Sequence, residues 1–291
     1  MKKTIRFLDC GANVGQSIQW ALDTLQGYDF KIDSFEPNPS LIPIIKDAFF
    51  DSKEHIKIHQ VAVDIVEGEN RKFYLQSFGA RTGSSLYQGK ESTMRKVAVV
   101  GSLCYVEPDG ATVRVLNAQW NYKECEALGL DVTNETPVFV QYMPSESVIE
   151  VLTNKRYIID NIDDLYNTVD VKTVDIISWI EENTNKDELI ILKLDVEGSE
   201  YPIVRELINT GVYEKIDVLL LEWTPEERID TAFEMVGEEK VKERTYLQKE
   251  VIEKFKYILD WHHPEDCRDP LKEHLKELEK RQDLQAKTRS A

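Results

Sequence analysis

The chain has 291 residues, 42% of them hydrophobic and 31% charged, with a formal net charge of −17 and a pI of about 4.8. This is the composition of a soluble globular body, and its acidity excludes a protein that grips phosphate backbones over a broad basic face. No apolar run is long enough to span a bilayer, and the N-terminus lacks a signal-peptide core. Cys10, Cys104, Cys125 and Cys267 are widely spaced and form no C-x-x-C pair, so free thiols and a cytoplasmic setting are expected, with no nucleic-acid or membrane partner.

The first predicted strand, Thr4 to Leu8, turns at once into the loop Asp9-Cys10-Gly11-Ala12-Asn13-Val14-Gly15. A helix is predicted from Val14 to Leu25, because Ile18, Ala21, Leu22 and Leu25 share one face. A second strand ends at Glu36, and Pro37 and Pro39 stop it and begin a helix through Phe50. "IKIHQVAVDI" reads as a third strand. Strand and helix alternate as they do in a parallel, doubly wound sheet.

Residues 71–170 break this rhythm with β-like runs, "RKFYLQ", "ATVRVL", "PVFVQYM" and "NKRYIID", and read as an antiparallel β-rich insertion. The rhythm returns with "VDIISWI", then "LIILKLD", the helix "YPIVRELINT" ended by Gly211, and the strand "DVLLLEW". Residues 225–291 read as charged and helical. The expected organisation is one domain over 1–291, carrying the insertion and this C-terminal segment.

The glycine loop lets the backbone turn tightly and lets a ligand lie against it, at the start of a helix with unpaired N–H groups. Glu36, ending the next strand, is placed to accept hydrogen bonds from both hydroxyls of a ribose. Together they indicate an adenosine-containing cofactor. A dinucleotide fingerprint wants G-x-G-x-x-G, whereas Asn13 holds the middle position here, and a pyrophosphate sits poorly beside Asp9. A sulfonium tolerates that acid better, which favours S-adenosylmethionine (SAM) over NAD.

In an open α/β sheet, ligands bind beyond the carboxyl ends of the strands, where strand order reverses. The first and fourth long strands are neighbours there in the usual order, so Asp195 and Glu197 are expected across from the Asp9 to Gly15 loop. "FLDCGANVGQS" (7–17), "SFEPNP" (34–39), "VAVDI" (61–65), "VDIISWI", "ILKLDVEGSEYPIVREL" and "LLLEW" together resemble the FkbM family of SAM-dependent methyltransferases.

The resemblance implies an α/β, Rossmann-like class I methyltransferase fold and methyl transfer from SAM to a hydroxyl of a sugar, glycan or glycosylated natural product. By position it implies that Asp9, Gly11, Asn13 and Gly15 form the methionine-side loop, which Ser17 follows. Glu36 then holds the ribose with Asn38 nearby, and Ala62, Val63 and Asp64 approach the adenine. Asp195 or Glu197 takes the acceptor proton or orients the hydroxyl. Alternatively, Asp195 contacts the SAM amino group and Glu197 caps the helix starting near Ser199. Glu222, ending the next strand, is a further catalytic candidate.

"WHHPEDC" (261–267) brings His262 and His263 as candidates to meet the substrate, but its spacing matches no standard zinc pattern, and a surface turn without metal is the favoured reading. Ser84 and Ser85 lie in a Gly- and Ser-rich stretch and are candidates to reach the cofactor or the substrate, with a plain loop as the alternative. The insertion carries Trp120, Tyr122, Tyr142 and Tyr157 and is expected to act as an acceptor-binding lid. Leu271, Leu275 and Leu278 form a helical stripe for a homodimer contact or for packing on the chain's own domain. The chain begins almost directly on its first strand, whereas methyltransferases of this fold often have helical material before it. The expectation is either one domain of a longer polypeptide or C-terminal helices that cover that face. The rival readings are an NAD-dependent oxidoreductase, a non-catalytic SAM-binding protein and an N-methyltransferase.

Overall fold

The computed structural model describes residues 3–75, 84, 86, 97–99, 102–106, 112–117, 141–144, 167–223 and 238–289. The chain divides into two compact units, residues 1–71, 171–224 and 243–291 forming the first and 72–170 with 225–242 the second.

The first unit is built on β1 (Thr4–Cys10), α1 (Gln16–Thr24), β2 (Phe30–Phe35), α2 (Ile42–Ala48) and β3 (Ile56–His59). A short strand, β4 (Ala62–Asp64), precedes β5 (Asn70–Leu75). The second unit contributes β6 (Val97–Val99), β7 (Ser102–Val106), β8 (Thr112–Asn117) and β9 (Gln141–Pro144), joined in one antiparallel sheet in that order. The chain continues with β10 (Asn167–Asp175), α3 (Ile176–Asn183), β11 (Glu188–Leu194), α4 (Glu200–Thr210) and β12 (Ile216–Leu221). It closes with α5 (Glu238–Lys254), β13 (Ile258–Asp260) and α6 (Pro264–Arg289). Among the described residues no helix is long and apolar enough to cross a membrane.

Six parallel strands form the main sheet in the order β13-β12-β11-β1-β2-β3. Strand order reverses between β1 and β11, so the chain is doubly wound and all six carboxyl ends share one edge. β1, β11 and β12 are buried on both faces, as strands covered by helices on each side must be. On one face Ile5, Phe7, Ile191 and Leu220 pack with Ile18 and Trp20 of α1 and Leu271 and Leu275 of α6. The leucine stripe of α6 therefore seats on its own domain, with Leu278 packed against the same core. On the other face Trp179 of α3 meets Phe35 and His59 edge-on and lies under Arg6, whose guanidinium pairs with buried Asp33.

Three elements differ from expectation. "IKIHQVAVDI" is two strands: β3 joins the main sheet, while β4 pairs in parallel with β10, Thr173 opposite Ala62. The segment after residue 225 is not helical throughout, because Ile258–Asp260 adds the edge strand β13. An edge strand of three residues carries too short an alternation to stand out between two charged helices. The helix expected through Phe50 stops at Ala48 and passes into a 3-10 turn. "VDIISWI" divides at Asp175, whose carboxylate accepts from the N–H groups of Ile177 and Ser178 and starts α3. "NKRYIID", Trp120, Tyr122, Tyr157 and Ser85 lie outside the described residues.

Candidate active site

Parallel pairing places Glu36, the Gly11–Gly15 loop, Asp195, Glu222 and His262 in succession along the carboxyl edge of the sheet. The expectation that Asp195 lies across from the glycine loop holds at atomic level. The Asp195 N–H donates to the Cys10 carbonyl at 3.2 Å, and Gly11 sits against the Asp195 carbonyl.

The loop is locked by its own backbone. Gly11 and Ala12 N–H groups both donate to the Phe35 carbonyl, at 3.0 and 3.1 Å, and Gly15 N–H donates to Ala12. Asn13 N–H donates to Glu36 Oε2 at 2.8 Å. Asn13 adopts a left-handed conformation (φ 51°), as does Glu197 (φ 58°), and among the described residues no other non-glycine has a positive φ. Strain of this kind collects at functional sites.

Glu36 is 5% exposed, and its second oxygen accepts from the Asn38 N–H at 2.8 Å. Burial pushes its carboxyl up to about 7, although these two amides favour the ionised form. Glu36 thus braces the loop, and each oxygen keeps a lone pair for a further donor.

Beneath the loop runs a buried polar row. Ser34, Asp9 and Lys193 are register partners on β2, β1 and β11, so their side chains project to the same face. Ser34 Oγ donates to Asp9 Oδ2 at 2.7 Å, and Lys193 Nζ stands 3.3 Å from Asp9 Oδ1. Lys193 is not among the residues singled out above, although a lysine inside an apolar strand is itself a signal, since lysines are rarely buried without a partner. Its ammonium also donates to the Gly11 carbonyl at 2.6 Å and pairs with Asp195 Oδ2 at 3.3 Å.

The loop after β11 is closed by Glu200, which also was not singled out. This fully buried carboxylate accepts from Val196 N–H at 2.8 Å and Gly198 N–H at 2.7 Å. Burial pushes it above the usual carboxylate range. Those bonds tie the loop that precedes α4 rather than the first amides of the helix. Glu222 pairs with His262 Nδ1 at 3.4 Å. Burial, then the charge of Asp195, pushes Glu222 up to about 6, with His262 opposing the rise.

Asp64 is engaged by Arg71 and by the Ile65 N–H, and Ala62 and Val63 belong to the β4–β10 pair. His263 lies in the turn leading into α6, where its carbonyl accepts from the Asp266 N–H. Ser84 belongs to the second unit. Among the described residues no group of three or more His, Cys, Asp or Glu side chains is placed to hold a metal ion.

Four buried side-chain atoms near this edge, Asn13 Oδ1, Asn38 Nδ2 and Ser199 Oγ in its loops and Ser17 Oγ in the first turn of α1, have no hydrogen-bond partner within the protein. Buried polar atoms are normally satisfied, so these four are candidates to meet a polar ligand. The ligand's charge follows from the surroundings. The amides of Gly11, Ala12, Asn13 and Gly15 are engaged internally and do not present an anion cradle. Lys193 is matched by two carboxylates, and Glu36 and Glu222 stand on either side. Such an edge suits a cation bearing hydroxyls and repels a pyrophosphate, which counts against the NAD reading.

The FkbM methyltransferase domain matches residues 9–246, more than half of the chain and inclusive of every loop at the carboxyl edge except that of His262. No curated protein and no solved structure shows significant similarity to the chain. The doubly wound sheet, the Asp9 to Gly15 loop, the D-V-E-G strand end and this match agree, and the chain belongs to the FkbM methyltransferase family.

Proposed function

We propose that the protein is a SAM-dependent O-methyltransferase acting on a hydroxyl of a sugar, glycan or glycosylated natural product. The observation that carries the cofactor assignment is the carboxyl edge itself: net acidic, lined by unpartnered buried polar atoms, and with its loop amides turned inward. The sugar acceptor follows from the family resemblance.

SAM, when bound, supplies a methyl group already activated for displacement by its sulfonium. The Asp9 to Gly15 loop would hold its amino-acid end, with Asn13 Oδ1 and Ser17 Oγ as the available polar atoms. Glu36 would accept from the ribose hydroxyls, and Asn38 Nδ2 is free to donate beside it. Holding the two reactants in line supplies much of the rate of such a displacement.

An alcohol must lose its proton as it attacks, and three acids are candidates. Asp195 already shares the Lys193 ammonium, which suits it to orienting an acceptor hydroxyl. Glu222, pushed up to about 6 and backed by His262, is poised to accept a proton near neutral pH. Glu197 is held in a strained conformation on the same loop as Asp195.

Incubation with methyl-tritiated SAM and a panel of mono- and oligosaccharides, with amines as a parallel panel, tests this reading. Label transferred to sugars supports it. Label on amines alone replaces it with N-methylation, and SAM binding without transfer to either panel would make the protein a SAM-binding module.

A further inference from the structure

Lys193 is 1% exposed, and four oxygens lie within 3.3 Å of its ammonium. Two are the backbone carbonyls of Cys10 and Gly11, where β1 turns into the glycine loop. The others belong to Asp9 and Asp195, and the Trp261 ring closes the remaining side at 5.9 Å. The ammonium donates to the two carbonyls, and the two carboxylates balance its charge.

The charge arithmetic is simple. Two carboxylates and one ammonium leave a single net negative charge; Lys193 and Asp9 are buried, whereas the Asp195 side chain is 27% exposed and faces the edge. Other groups whose charge is felt here are Glu36 beyond β2, Glu222 with its partner His262 beyond β12 and β13, Glu200 at the start of α4, and the Cys10 thiol. Burial pushes the Cys10 thiol well above its usual range, so it stays neutral. None of these groups can take the place of the ammonium. Burial alone would lower Lys193, but Asp195 and Asp9 outweigh it and hold the ammonium above the ordinary lysine range.

We propose that Lys193 is a positioning residue of the cofactor site: it ties the turn of the glycine loop to β11 and sets its ammonium between the carboxylates of Asp9 and Asp195, so that the edge offers one net negative charge to a cationic ligand. This rests on the SAM reading above. Without the ammonium, two carboxylates at neighbouring strand ends repel, and one takes up a proton. A cationic ligand must then displace that proton.

Calorimetric titration with SAM in two buffers of different ionisation enthalpy counts the protons exchanged on binding. Wild type, Lys193→Met and Asp9→Asn/Lys193→Met are compared between about pH 5.5 and 7. Lys193→Met is expected to release close to one proton more than wild type, and to bind about tenfold more weakly at the acid end of that range. The double variant, with no carboxylate pair, returns to the wild-type count. An equal count in Lys193→Met and wild type overturns the proposal, as does an excess that survives in the double variant.

Melting of the three proteins without ligand decides the matter when SAM binding is too weak to titrate. A carboxylate raised in the folded state stabilises at low pH, and that stability is lost as pH rises through its folded-state value. Lys193→Met alone should therefore melt at falling temperature, relative to the other two, as pH rises. Parallel pH profiles, or failure of both variants to fold at any pH, would mean that the lysine only packs, and the proposal falls. Absence of SAM binding by the wild type overturns the cofactor assignment alone, since the melting comparison still reports on the charge cluster.

Discussion

The carbonyl oxygen of Asp195 lies 1.9 Å from the point where a β-carbon on Gly11 would sit. No real β-carbon tolerates such an approach, so β1 and β11 reach this closeness only with glycine at position 11. Gly11 also has φ 88°, in the region that other residues avoid. Gly11→Ala is therefore expected to cost about 3 kcal/mol and to abolish SAM binding, from overpacking and backbone strain together. Gly27, with a similar φ of 91° and nothing within 4 Å of its virtual β-carbon, is the control. Gly27→Ala should cost about 1 kcal/mol and leave binding intact. Urea unfolding and calorimetry of the pair give both numbers.

Glu36 ties a pH dependence to the glycine loop. Its carboxyl is raised from 4.5 to about 7, so its protonated form stabilises the fold at low pH. That contribution is lost as pH rises from about 4.5 through 7. Glu36→Gln should remove this slope, melting with a flatter pH profile than wild type over the same interval. Because the ionised carboxylate is the better acceptor for ribose hydroxyls, wild-type affinity for SAM should rise severalfold between about pH 6 and 8, while the variant stays weaker and flat.

Glu197 separates strain from chemistry. Its φ of 58° costs a side-chain-bearing residue about 1 kcal/mol, which glycine recovers while losing a similar amount in the unfolded chain. Glu197→Gly should leave stability within about 1 kcal/mol and SAM affinity within about threefold. If the carboxylate acts on the acceptor, methyl transfer falls by about a hundredfold or more. Unchanged turnover would remove Glu197 from the reaction. Asp195→Asn is expected to lose transfer as well, and also to weaken SAM binding, because it removes a partner of Lys193.

Glu222 should govern the acid side of the rate profile. Burial and the charge of Asp195 raise it to about 6, and His262 holds it from rising further. His262→Ala is expected to move the acid limb of the methyl-transfer profile toward higher pH, by less than about one unit. Glu222→Gln should abolish that limb along with most of the rate. A limb that survives in Glu222→Gln belongs to another group.

The doubly wound core was legible because its signals are local: apolar runs, glycine turns, and proline and glycine punctuation place β1, β2, β11 and β12 nearly where they lie. The acids at the strand ends were legible for the same reason. Lys193 was not, because its meaning comes from pairing between strands far apart in sequence. Only the in-register row of Ser34, Asp9 and Lys193 turns an interrupted apolar strand into a charge cluster. Likewise, which acid closes the loop after β11 depends on the left-handed turn at Glu197 and Gly198, which aims Glu200 back at the chain. β13 was missed because three residues are too few to show a period.

The most direct test is calorimetric titration of the purified protein with SAM and S-adenosylhomocysteine, with NADH as the control ligand. The account predicts micromolar binding of both adenosyl ligands, weakened about tenfold or more by Glu36→Ala, and no binding of NADH. Binding of NADH with neither adenosyl ligand would contradict it, and would mean that the acidic edge does not select a cation.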